Sequence, residues 1–296
     1  MILAFAAIYL IWGSTFLAIR YAVETILPFL MAGTRVLAAG MILLVLTRRS
    51  WPGVRPVHWR SAAFTGGAMF LGGHGLLCWA EQHVPSGIAA LVEASIPIWI
   101  VVLRTAPRRR MPDRLTIGGV TIGFLGVAIL VLSRPLTGHV TEPIAAYAAL
   151  LLSAISWSVG SLYTRSAPLP NSIGVSTGMQ LVAGGVLLML AGSATGEWGR
   201  LHVPHVSSLS VLSLAYLIVM GSLVAFSAYG WLLRRADPAI VGTYAFVNPL
   251  VAVALGWLIG GEPVRVATLA GGTLIVGAAV LMHFAPRVGR EPRATR

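Results

Sequence analysis

The sequence predicts an all-α integral membrane protein, with ten transmembrane helices in two five-helix repeats of inverted topology. Three observations carry that prediction. Of its 296 residues, 57% are hydrophobic and 10% charged, and mean hydropathy is +0.84; a soluble domain is roughly 25% charged. Apolar runs of spanning length recur along the whole chain, and the second half repeats landmark residues of the first. This composition excludes a disordered chain, a disulfide scaffold and an ordinary cytosolic enzyme. The lone Cys78 leaves no intramolecular disulfide and no multi-cysteine metal framework.

A helix needs about 20 mostly apolar residues to cross a bilayer. The first such run, 2–19, lacks a basic n-region and a small-residue cleavage site and contains Trp12, Ser14 and Thr15, so it reads as a retained helix. The second, 28–46, encloses Arg35. The third, 60–80, contains Gly72-Gly73-His74-Gly75, and the fourth, 86–103, contains Glu93 and Pro97. The fifth, 115–132, has the close-packing spacing Gly119-x3-Gly123. The remaining runs are 143–163 with Trp157, 172–191, 207–232, 238–259 with Pro249, and 264–284. Connections are short and marked by Pro, Gly or Arg, and residues 286–296 form an Arg-rich tail.

The charge is directional. Formal net charge is +12, and every basic residue is Arg. With the N-terminus inside, sixteen of the 21 arginines fall in inner loops and the tail, including Arg108-Arg109-Arg110. Four (Arg20, Arg134, Arg200, Arg265) fall outside, and Arg35 lies within a helix. Basic residues near helix ends resist translocation, so both termini are expected in the cytoplasm. The basic run is thereby a topology signal and no nucleic-acid partner is expected.

The expected repeats are 1–135 and 140–285. A shift of 145 places Trp12 on Trp157, Arg20 on Arg165, Arg35 on Gln180 and Gly40 on Gly185. A shift of 152 places Trp79 on Trp231 and Pro97 on Pro249, and one of 151 places Pro112 on Pro263 and Gly126 on Gly277. Five helices is an odd number, so the second copy enters the membrane from the opposite side. Inverted halves that exchange conformations open a central site alternately to each side, which is a transporter's architecture.

The stretch Ile11-Trp12-Gly13-Ser14-Thr15-Phe16, then Arg20 and Arg35-Val36-Leu37-Ala38-Ala39-Gly40, resembles the start of an EamA repeat of the drug/metabolite transporter superfamily. Val84-Pro85-Ser86-Gly87-Ile88-Ala89-Ala90-Leu91 and Ala245-Phe246-Val247-Asn248-Pro249-Leu250, with Gly260-Gly261-Glu262 following, resemble further junctions of its bacterial ten-helix exporters. The resemblance implies a multi-pass transporter of the bacterial cytoplasmic (inner) membrane. Its implied activity is export of amino acids or small amphipathic metabolites by alternating access. The alternative is a proton-coupled exporter of lipophilic cations that uses Glu93.

Intramembrane charges are functional candidates by default, and two are clear. Arg35 reads as a structural charge. Glu93 reads either as its partner or as a substrate or proton site. Pro97 and Pro249 remove a backbone donor at matching positions and are expected to kink helices around the cavity. Beside them stand Ser95, Trp99, Tyr244 and Asn248. Trp12 and Trp157 lie mid-helix, away from the usual interfacial belt, and read as an aromatic wall. His74 titrates near neutral pH, and Ser227 stands near its counterpart in the second half. These residues form the expected substrate site, with proton coupling through Glu93 or His74. His74 and Cys78 share a helix face, but two ligands make a poor metal site. A chain without Lys has no Walker-type phosphate loop, and the outer acids and histidines Glu24, Glu81, His83, Glu142, Glu197, His202 and His205 lack catalytic spacing. No metal, cofactor or enzymatic activity is expected.

Overall fold

The computed structural model describes residues 1–51, 53–105, 114–133, 143–235, 241 and 244–284. Among them the regular structure is helical, without strands. The helices are α1 (Ile2–Ala22), α2 (Pro28–Leu46), α3 (56–80), α4 (Ser86–Glu93), α5 (Ile96–Thr105) and α6 (Arg114–Leu132). They continue as α7 (Ile144–Thr164), α8 (Ile173–Ala194), α9 (208–235), α10 (Tyr244–Leu258) and α11 (Val266–Phe284). Five helices are long and apolar enough to cross a membrane: α1, α2, α7, α8 and Ser208–Leu232 of α9. Shorter apolar helices lie at Ser86–Ile100, Ile117–Leu130, Val247–Leu258 and Val266–Ala278. The tail 286–296, the run Arg108-Arg109-Arg110, Arg134 and Pro112 lie outside the described residues.

The expected single helix over 86–103 is two. α4 ends at Glu93 and α5 starts at Ile96, with the Ser95 carbonyl accepting from Ile98 N (2.9 Å) and Trp99 N (3.2 Å). Pro97 becomes the second residue of a new helix, where its missing N–H leaves no gap. Pro249 sits inside α10, which continues through it. The matching prolines thus have different outcomes: a break in one helix and an interior proline in the other.

Two antiparallel crossings organise the molecule. Lipid provides no hydrophobic drive for helices to associate, so small residues that admit close backbones hold such interfaces. Along α2 and α8, Leu30 meets Gly192, Gly33 meets Met189, Leu37 meets Gly185, Gly40 meets Val182 and Leu44 meets Gly178. Each step forward on one helix is an equal step backward on the other. A Cβ on Gly40 would lie 2.7 Å from the Val182 nitrogen, and one on Gly185 would lie 2.7 Å from the Leu37 Cβ. The second crossing joins α6 and α11: Gly126 meets Ile275, Leu130 meets Gly271, and Gly126 and Gly271 each approach the other's carbonyl. Gly277, matched to Gly126 by the shift of 151, meets nothing within 4 Å. Gly126 and Gly271, which pack on each other, are 145 residues apart, as are Gly40 and Gly185.

Two carboxylates close exposed backbone donors at one end of the molecule. Helix N-termini leave their first N–H groups unpaired and carry partial positive charge. Glu197, in the one-turn helix Glu197–Arg200, accepts from Leu30 N (2.9 Å) and Phe29 N (3.3 Å) at the start of α2. Glu262, after α10, accepts from Ser86 N (2.8 Å) and Gly87 N (3.1 Å) at the start of α4.

Two stability predictions follow from these contacts. Gly40→Ala should overpack its crossing by about 1–3 kcal/mol, whereas Gly277→Ala, with open space around it, should change thermal unfolding in detergent little. Glu262→Ala should cost about 1–2 kcal/mol as a lost cap, and Glu262→Gln, which keeps one acceptor, should cost less. Equal melting temperatures for all four proteins would contradict the packing described.

Candidate functional site

A cleft partly open to solvent, with about 650 Å³ of space between its walls, lies among α1, α2, α3, α4, α5, α7 and α10. Trp12, Arg35, His74, Glu93, Trp157, Tyr244, Asn248 and Pro249 line it, together with residues that sequence reasoning passed over, including Thr15, Phe16, Gly73, Leu77 and Ser153. Ser95, Trp99, Ser227 and Pro97 do not. Trp99 donates to the Ser95 hydroxyl (3.2 Å) and packs edge-on against Phe124 of α6, with centroids 5.2 Å apart. The helix break places this i, i+4 pair against α6. Ser227 is half-buried on α9, away from the lining.

One wall is aromatic. Trp12 and Trp157 meet edge to face, with centroids 6.5 Å apart and an interplanar angle of 89°. Trp12 also contacts Tyr229 (5.0 Å) and Tyr244 (5.2 Å), and Trp157 contacts His74 (5.2 Å). Such pairs are worth about 0.5–1.5 kcal/mol beyond area burial, so the wall is a rigid unit.

Three π-helical stretches hold polar groups around this wall. A π turn frees carbonyls from the ordinary α ladder and is frequent at functional sites. The Ile8 and Tyr9 carbonyls of Ala7–Ile11 and the Tyr244 carbonyl face one side of the Asn248 amide (3.2, 3.1 and 3.2 Å), which assigns the amide nitrogen, the only donor of the group, to that side. In Leu217–Ala225 the Gly221 carbonyl accepts from Trp12 Nε1 (3.2 Å), and the Ser222 hydroxyl accepts from Arg35 Nε (3.0 Å). The third stretch, Gly67–Gly75, places Gly73 and His74 on the lining, and the Gly73 carbonyl accepts from Ser153 Oγ (2.9 Å).

The charges remain apart. Arg35 is 2% exposed and its Nη1 has no hydrogen-bond partner; Glu93 is 9% exposed and its Oε1 has none. The pairing that sequence reasoning allowed between them is not formed. Arg35 is turned to Ser222 of α9, and the Ser153 hydroxyl lies beside Glu93.

The description "EamA-like transporter family" matches residues 1–132 and 144–284. The chain belongs to the EamA-like transporter family. Its similarity to the "Uncharacterized inner membrane transporter YedA" of Escherichia coli K12 is 38% identity over 286 residues, covering 94% of this chain and 89% of that protein. The "Probable amino-acid metabolite efflux pump" of Salmonella typhimurium is 23% identical over 294 residues, covering 96% and 95%. A crystal structure 21% identical in sequence superposes with a TM-score of 0.65 over 95% of either chain, which shows the same fold. These relationships mark a membrane transporter of the EamA kind rather than an enzyme.

Much of the overlooked lining of this EamA-like cavity follows helical periodicity. Thr15 and Phe16 lie three and four residues beyond Trp12, and Leu77 lies three beyond His74, on shared faces. Ser153 is likewise one turn before Trp157. The π stretches have no comparable signal beyond the crowded glycines of 66–75.

Ser222→Ala removes a hydrogen bond from a buried guanidinium and should lower stability by about 1.5–3 kcal/mol. In an Arg35→Gln background the same change should cost much less, because the charge it served is gone. A double-mutant cycle of thermal unfolding reads the difference, and strict additivity would separate Ser222 from Arg35.

Proposed function

We propose that the chain is a ten-helix secondary transporter that exports amino acids or small amphipathic metabolites across the bacterial inner membrane by alternating access. One observation carries this reading: a single aromatic-walled cavity holds a buried cation and a buried carboxylate, each with an unpartnered polar atom and no ion pair between them. Unpaired buried charges are unfavourable until something compensates them. A zwitterionic solute brings a carboxylate for Arg35 and an ammonium for Glu93, and rests its apolar part on Trp12, Trp157 and Tyr244. Asn248 steadies α10 against α1 on the cavity lining. His74 packs on Trp157 in the same wall.

The two antiparallel crossings support inverted repeats 1–135 and 140–285. In each, contacts are reciprocal under one shift of 145: Gly40 with Val182 mirrors Gly185 with Leu37, and Gly126 with Ile275 mirrors Gly271 with Leu130. Reciprocal contacts of this kind are what a two-fold axis generates. α4 and α5 then form one span, which brings the helices to ten. The arginine distribution puts both termini in the cytoplasm. The printed name of the Salmonella relative supports amino-acid metabolites as cargo, and that of the Escherichia relative supports the inner membrane.

The alternative, a proton-coupled exporter of lipophilic cations, takes its support from Glu93 alone. Arg35 in the same cavity would repel such a cargo.

Flux of a mixed metabolite panel from reconstituted vesicles, with and without a pH gradient, tests the proposal. Arg35→Gln, the residue already found at position 180, should raise KM for zwitterionic cargo at least about tenfold, a typical loss for an unpaired buried charge contact. Glu93→Gln should weaken the same cargo. Loss of organic-cation flux in Glu93→Gln, with Arg35→Gln unaffected, would instead favour the alternative. If no small molecule moves under any gradient, the transporter mechanism is refuted.

A further inference from the structure

The cavity chemistry leaves one buried acid unused. Glu81 follows the end of α3 and begins the turn to α4. It is 0% exposed, and neither carboxylate oxygen has a hydrogen-bond partner. Arg20, at the end of α1, would be its natural counter-ion, yet the Arg20 guanidinium donates to the Glu81 main-chain carbonyl (2.5 Å). Glu262 is close enough to repel Glu81, but its own oxygens are occupied by the Ser86 and Gly87 amides. Beside them the Ser86 hydroxyl is also buried without a partner. Around Glu81 stand Arg20 from α1, Arg35 from α2, Cys78 from α3, Glu93 from α4 and Glu262 from the segment after α10. His83, two residues on, packs against Trp79, and α7, which packs against the end of α3, carries buried Tyr147 near its start.

A carboxylate stripped of water and of donors is strongly unfavourable as an anion. Burial, then the Glu262 carboxylate, pushes the Glu81 carboxyl well above the usual carboxylate range. The acid therefore keeps its proton in this arrangement.

We propose that Glu81 is a proton-binding site whose occupancy holds this end of the cavity shut. Ionisation releases one proton to water on that face and leaves a carboxylate that needs either water or the Arg20 guanidinium. Hydrating it requires the ends of α1 and α3 to part from the start of α4. Leu77, one turn before Glu81, and Ile19, next to Arg20, line the cavity, so that parting opens it. Low pH on this face favours the closed form, and rising pH through the elevated Glu81 pKa favours the open one. The inference rests on the transporter reading only for its physiological purpose; proton binding and opening are measurable without cargo.

Cys78, buried and the chain's one cysteine, is a built-in reporter one turn from Glu81. Maleimide labelling of the whole protein in detergent is followed across the acid-to-alkaline range, with each point normalised to the same sample unfolded in SDS to cancel thiol ionisation. Wild type should gain several-fold in normalised labelling as pH rises, and Glu81→Gln, which cannot ionise, should stay protected. Infrared difference spectra should show a protonated carboxyl band in wild type that disappears at alkaline pH and is missing from Glu81→Gln. A flat wild-type labelling profile overturns the proposal even if the variant fails to fold. So does a variant that folds and keeps either the labelling rise or the titrating band. A protein that passes both assays yet moves no solute in vesicles would defeat the transport reading and leave the proton site standing.

Discussion

The close approach of α2 and α8 is the constraint on which the rest depends. Apolar side chains gain little by leaving lipid for one another, so a membrane fold is held by contact distance and by satisfied polar groups. Glycine at positions 33, 40, 178, 185 and 192 removes the side chains that would separate these two helices. Once they run antiparallel at that distance, Arg35 on α2 is carried to Ser222 on α9, and Phe70 of α3 is wedged against Gly184. The α6–α11 crossing fixes the other flank in the same way. The cavity lies between helices that these two pairs hold in place, which lets its walls carry unpaired charge without collapse.

The carboxylate caps belong to the same logic. Glu197 and Glu262 come from segments distant in sequence from the helices they cap, and each satisfies backbone donors that lipid cannot. Each tether also ties a helix of one half to a connection in the other: α2 to the segment after α8, and α4 to the segment after α10. Relative movement of the halves must respect or break these hydrogen bonds, so they set which helix ends move together.

Much of this was legible in the sequence because it depends on local composition. Apolar runs, the doubled Trp12 and Trp157, and the intramembrane Arg35 and Glu93 are visible without coordinates, and all four residues reach the cavity. What was illegible depends on a partner far along the chain. Glu197 reads only as an outer acid without catalytic spacing, and Glu262 only as part of a family motif, because a cap is defined by the helix it reaches. Pro97 and Pro249 occupy equivalent positions, yet only one helix breaks, since a proline's effect depends on what supports the freed carbonyls. Trp99 and Ser95 were placed at the cavity by sequence proximity to Pro97, whereas the break beside them turned Trp99 toward Phe124.

The site is less symmetric than its scaffold. Position 180, the counterpart of Arg35, holds a neutral amide that donates to the Ser176 carbonyl (3.1 Å) and hydroxyl (3.2 Å) of its own helix. Gln180 is locally satisfied, whereas Arg35 keeps an unpartnered Nη1. Glu93 likewise has an uncharged counterpart, Ala245. Packing needs only shape, and shape can be duplicated. A charge buried without a partner is unfavourable, so two mirrored sets would double that burden. Confining both charges to the first half keeps the glycine crossings reciprocal while the cavity they enclose has a single electrical polarity.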